Sequence, residues 1–175
     1  MERISLAEQL EVSRMKLLAA CEDLSPKQWT FRCGEDQWTI AEVVEHIVMV
    51  ERGISVMLQR KLMQSSPVDQ VSSDLDERIR LAVVDRSCKQ QTPERLNPSG
   101  KFPDGPAALE AFEDTRAKTL EWFSTASDDL RRYRMPHPVL GPIDGYQWIV
   151  FVAAHAERHT LQIEEVKMAS GYPAR

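Results

Sequence analysis

Three of the four histidines in this 175-residue chain fall where their imidazoles could meet. His155 and His159 stand four apart in FVAAHAERHTLQIEEVK, and His46 lies in WTIAEVVEHIVMVER. Residues four apart on a helix are separated by only about 40° around the axis, so both rings of the pair can reach one ion. Both segments have the periodicity of amphipathic helices, and each places its imidazoles on the apolar stripe. Three neutral nitrogens converging inside a helical bundle form a donor set for Zn²⁺, Ni²⁺ or Fe²⁺. Three protein ligands leave a position for water or substrate, which is the pattern of a catalytic site. There a bound water acidifies toward neutral pH, or a bound thiol ionises to a thiolate. The rival arrangement is a hydrogen-bonded cluster of core histidines with no metal.

Ligand imidazoles need partners for their second nitrogens. Gln162, one turn after His159 on the same row, and Glu42, one turn before His46, stand in position for this. Glu42 reads more simply as a helix-capping residue. The pair is not a zincin motif, because Ala156, Glu157 and Arg158 intervene and Glu157 is misplaced for HExxH. His137, between prolines in MPHPVLGPIDG, could approach the site but reads more simply as a structural or exposed loop histidine. Trp29, Trp38, Trp122 and Trp148 read as core or helix-start residues. Cys21, Cys33 and Cys88 are odd in number and lack a CxxC spacing, so they read as small buried hydrophobes.

Four main helices must position the imidazoles. The first spans about 4–22, with Leu6, Leu10, Ser13, Leu17, Ala20 and Leu24 as its row, and stops before Ser25-Pro26. The second starts at the capping box Thr39-Ile40-Ala41-Glu42 and runs to about Gln64, its inward row being Val43, His46, Val50, Gly53 and Met57. The third starts near Asp104-Gly105-Pro106 and carries Leu109, Phe112, Leu120 and Phe123 to about Ala126, and Ser127-Asp128-Asp129 can cap a further turn through Tyr133. The fourth starts at Asp144, with Gln147 completing its capping box, and closes at Gly171 ahead of Pro173. Its row is Trp148, Val152, His155, His159, Gln162 and Val166. Residues 65–105 form a long connection with a short helix at 74–86, which lets the second and third helices run parallel and suggests a segment bordering the site or an interface. Strands have little support. The expectation is an all-α four-helix bundle forming a single domain over 1–175.

Composition narrows the partners. A formal net charge of −5 without a basic stripe argues against nucleic acid. The N-terminal MERISLAEQLEVSR lacks a signal-peptide core, and the apolar runs are too short to span a bilayer. A soluble cytoplasmic protein with no membrane partner is expected.

The segment Trp38-Thr39-Ile40-Ala41-Glu42-Val43-Val44-Glu45-His46 resembles the first signature, Trp-[Ser/Thr]-x-x-Glu-x-x-x-His, of the DinB/YfiT-like metalloprotein superfamily. The stretch His137-Pro138-Val139-Leu140-Gly141-Pro142, followed by His155 to Ile163, resembles its second signature, H-x-x-R-H-x-x-Q-I, and Leu24 to Trp29 also fits. The resemblance spans nearly the whole chain. It implies an up-down-down-up bundle, a divalent metal on His46, His155 and His159, and frequent homodimers. The metal is commonly nickel or zinc, with iron and manganese as further options. Members include thiol S-transferases using low-molecular-weight thiols such as bacillithiol, hydrolases, and a mycothiol-dependent isomerase. The isomerase branch is less similar, since it has a glutamate where His155 stands. The resulting expectation is a metal-dependent enzyme performing thiol S-transfer or hydrolysis on a small molecule. The alternatives are a non-catalytic metal-binding or stress-response protein, and a metal-free bundle with a structural histidine cluster.

Overall fold

A computed structural model describes residues 3–68, 73–87, 92–126 and 128–174. Helix α1 (Arg3–Cys21) is followed by the single turn α2 (Pro26–Trp29) and by α3 (Ile40–Lys61). The crossover carries α4 (Asp76–Val84), then α5 (Gly105–Thr125) leads to a hairpin of β1 (Arg134–His137) and β2 (Gly141–Asp144), and α6 (Gly145–Lys167) ends the bundle. Thr39 and Glu42 satisfy each other's backbone N–H groups at the start of α3, and Asp144 and Gln147 do the same for α6. Asp104 caps α5, where Pro106 lies in the first turn and its missing N–H leaves no bond unmade.

Side-chain pairs fix the helix directions. Arg52 and Ser55 of α3 bond Thr115 and Thr119 of α5, so these two helices run parallel. Lys16 of α1 pairs with Glu157 of α6, and Gln28 beyond α1 reaches the carbonyl of Pro173 beyond α6, so that pair is parallel too. Trp38 packs on His159 while His46 meets His155, which makes α3 antiparallel to α6. The result is the up-down-down-up bundle, and the crossover between α3 and α5 is what permits it.

The apolar interior lies in two clusters. One contains Leu6, Leu58, Phe123 and Ile149, and the other contains Leu17, Ile47, Phe112 and Ile163. The α1 row from Leu6 to Ala20 is buried, and Leu24 lies past the helix end, half-buried. Helix α5 departs from its expected row, for between Phe112 and Phe123 it buries Arg116 completely. That guanidinium forms a bidentate pair with Glu51 at 2.8 and 2.9 Å and donates to Leu10 O and Ser13 Oγ, tying α5 to α3 and α1.

Three features differ from the sequence reading. The hairpin forms from strands of four residues each, too short for alternation to register. Pro136 faces Pro142 across the ladder, so the two missing donors share one position. Helix α6 ends at Lys167, and Gly171, with φ of 83°, belongs to the turn after it. On α3 the buried apolar positions after Val50 are Ile54 and Leu58, while Gly53 is exposed and Met57 half-buried. Ser127 lies outside the described residues, and a 3₁₀ turn follows at Asp128–Arg132. Among the described residues no helix is long and apolar enough to cross a membrane.

Candidate metal centre

The bundle brings His46 of α3 together with His155 and His159 of α6. All three are at most 9% exposed. Nε2 of His155 lies 3.3 Å from Nε2 of His46 and 3.1 Å from Nε2 of His159. These two separations are close to the edge of about 3.3 Å that metal–nitrogen bonds of about 2.0–2.1 Å produce in a tetrahedral site, and the three donor atoms all lie within 4.8 Å of one another.

The outer nitrogens settle the tautomers. Nδ1–H of His46 donates to the Leu96 carbonyl at 2.9 Å, and Nδ1–H of His159 donates to Gln162 Oε1 at 2.8 Å. Neither acceptor carries a proton, so both Nε2 atoms present lone pairs to the centre. His155 Nε2 can offer a proton to only one of them. A metal-free cluster of neutral rings would therefore leave a lone-pair contact uncompensated, and a cation resolves it.

Burial pushes all three imidazoles below the ordinary histidine value, His155 well below it and His159 to about 3, so the rings stay neutral. Aromatic neighbours hold the ring planes. Phe151 stacks on His155 at 5.3 Å, and Trp38 packs on His46 at 4.8 Å.

Glu45 anchors the Leu96 carbonyl indirectly. Its buried carboxylate accepts the backbone N–H groups of Ser99, Gly100 and Lys101 at 2.8, 3.1 and 3.2 Å. The crossover is thereby strapped to α3 one residue before His46. Its other arm docks on α6 through Arg158, which donates to the carbonyls of Val83 and Asp85 at the end of α4. The crossover thus borders the centre, although residues 69–72 and 88–91 of it lie outside the described residues.

Above the imidazoles opens a cavity of about 460 Å³ with mainly apolar walls, among them Val50, Ile54, Val83, Leu140, Trp148 and Phe151. A polar cleft of about 230 Å³ meets it at His159, between Asp36, Asn97 and Gln162. His137 is neither exposed nor in an open loop. It sits at the end of β1, 9% exposed, on the cavity wall and against Trp148 and Phe151. Its Nδ1 accepts from the N–H groups of Val139 and Leu140, so its proton sits on Nε2, and burial lowers its pKa.

Gln162 stands where its spacing placed it, and Glu42 is a cap, its carboxylate taken by Thr39 N–H and Arg32. The sequence reading missed Leu96, Glu45, Trp38 and Phe151 as supports of the site. Leu96 acts through a carbonyl, which every residue has, so no side-chain pattern could mark it. Cys21 is buried, its thiol pushed up to about 12, but Cys33 is exposed rather than a buried hydrophobe, and Cys88 lies outside the described residues.

Comparison with known proteins agrees with this architecture. YuaE of Bacillus subtilis (strain 168) is 25% identical over 156 residues, which cover 89% of this chain and 93% of that protein. The crystal structure of TT2238, a four-helix bundle protein, superposes with a TM-score of 0.60 at 20% identity, covering 94% of this chain and 99% of that one. YfiT from Bacillus subtilis, described as "a probable metal-dependent hydrolase with an unusual four-helix bundle topology", has a TM-score of 0.62 at 16% identity, covering 98% and 89% of the two chains. Residues 9–163 match the sequence profile of the DinB superfamily, and the chain belongs to that family.

Proposed function

We propose that this protein is a metal-dependent enzyme. It holds one divalent cation on Nε2 of His46, His155 and His159 and acts on a small molecule by hydrolysis or by transfer to a low-molecular-weight thiol. The observation that carries the reading is the convergence of three buried Nε2 atoms, two of them stripped of protons by the Leu96 and Gln162 acceptors. The description of YfiT as a probable metal-dependent hydrolase supports it. The adjoining cavity favours an enzyme over a purely structural ion, because a structural site has no use for an open chamber beside it.

When bound, such an ion supplies Lewis-acid activation of water or of a thiol. The rest belongs to the chain. Leu96 and Gln162 hold the His46 and His159 rings in the ligating tautomer, and Trp38 and Phe151 fix the ring planes. The apolar walls thin out competing water around the reacting end. His137 Nε2–H offers a hydrogen-bond donor on the wall of the same chamber.

Elemental analysis of untagged protein tests the reading, with about one ion per chain expected after metal is supplied. His46→Ala and His155→Ala should each lose the ion. Equal metal content in wild type and both variants would overturn the ligand set. Esters and alkylating electrophiles, assayed with and without added thiol, then separate hydrolysis from thiol transfer. Metal without turnover in either assay would favour a non-catalytic role.

A further inference from the structure

The α3 row that carries His46 continues through Val50 to Gly53 and Met57, and all four line the cavity. Gly53 is out of place by helix chemistry. A glycine inside a helix is unfavourable because the unfolded chain gains freedom from it, so such a residue needs a reason. Close packing is the usual one, and it operates elsewhere in this molecule. A Cβ at Gly105 would lie 2.2 Å from Trp29, and one at Gly145 would lie 2.4 Å from Leu62. At Gly53 a Cβ meets nothing within 4 Å, and no positive φ demands glycine there. The backbone tolerates a side chain, yet the position has none, and the exposed Gly53 leaves this part of the cavity wall open.

The surroundings define what that space suits. Val50, Ile54 and Met57 flank Gly53 on the helix, Trp148 and Phe151 of α6 also line the chamber, and among the described residues no acidic one does. Among the lining cations, Arg158 is engaged with the carbonyls of Val83 and Asp85, and Arg95 is exposed. At about 460 Å³ the chamber has the size of a small-molecule site, and it reaches the three imidazoles.

We propose that this cavity binds the uncharged hydrocarbon body of a small substrate, an acyl, alkyl or aryl group, with the substrate's polar reacting end at the imidazoles. Gly53 determines specificity by keeping the chamber free of a side chain. The assignment of the reacting end rests on the metal-site reading above, while binding of the hydrocarbon body does not.

Straight-chain primary alcohols from 1-butanol to 1-octanol test it, followed by tryptophan fluorescence with Trp148 as the wall reporter. Affinity is expected to rise about three- to fourfold per added methylene. Gly53→Leu should weaken 1-octanol binding at least tenfold while metal content holds and the melting temperature does not fall. Gly53→Ala should bind 1-octanol as the wild type does and melt about 2 °C higher. Affinity independent of chain length, or unchanged in Gly53→Leu, would overturn the proposal. So would a Gly53→Leu variant that alters the oligomeric state and not alcohol binding, since the chamber would then face a second copy of the chain. His46→Ala keeps the two readings apart: it should lose the ion yet retain the chain-length dependence, and a protein that never binds metal can still be titrated with alcohols.

Discussion

Each imidazole of the centre is neutral because it is buried, and that has a consequence for stability. Burial takes His159 down to about 3 and lowers His155 and His46 as well, whereas histidine in an unfolded chain titrates near about 6.5. Between those values the unfolded chain binds protons that the folded chain refuses, so stability falls as pH falls below about 6.5. Each such histidine costs up to about 1.4 kcal/mol per pH unit in that window. Metal-free protein should therefore melt at progressively lower temperature from pH 7 to pH 5, with a shallower slope in His159→Asn. A flat melting temperature over that range would contradict buried neutral rings. Gln162 matters in a different way, by holding the His159 proton on Nδ1. Gln162→Ala is expected to weaken metal binding about 10- to 100-fold with far-UV helicity intact, as read by competition with a chromophoric chelator.

The elements differ in what holds them. Helix α5 is locked by the buried Arg116–Glu51 pair, where one partner without the other is an uncompensated charge. Arg116→Met alone should cost about 3–5 kcal/mol in urea unfolding, and adding Glu51→Leu should recover most of that loss. If the double variant were as unstable as the single one, the cost would lie in packing rather than in charge. The crossover is held by the Glu45 carboxylate and its three backbone donors. Glu45→Gln leaves at most one acceptor oxygen for them, so faster amide exchange at Ser99, Gly100 and Lys101 is expected, with weaker metal binding because Leu96 loses its anchor. Unchanged exchange there would show that the crossover is held by other contacts.

Across the whole molecule the bundle's packing does not require the centre, although the centre adds to its stability. The two apolar clusters run along the helices and do not depend on the imidazoles. His46→Ala should keep its helical spectrum while losing its ion. In the wild type, metal at about 100 times its dissociation constant should stabilise the fold by about 2.7 kcal/mol, visible as a rise in melting temperature that His46→Ala lacks. An equal rise in the variant would place the ion elsewhere.

The sequence by itself determined the features that depend on local spacing. The four main helices, both capping boxes, the inward faces of His46, His155 and His159, and Gln162 beside His159 all follow from 3.6-residue periodicity and short-range hydrogen bonding. The same logic failed where partners are distant along the chain. Nothing in the α5 pattern announces that Arg116 is buried, because its partner Glu51 lies 65 residues away. His137 read as a loop residue because the hairpin carrying it is too short and proline-rich to show alternation, and its burial depends on Trp148 and Phe151 of another element. Gly53 and Met57 read as core because they sit on the row of His46, yet Gly53 is exposed, Met57 is only half-buried, and both line the cavity. Only the tertiary structure could decide this, because a cavity is the space that distant elements leave unfilled.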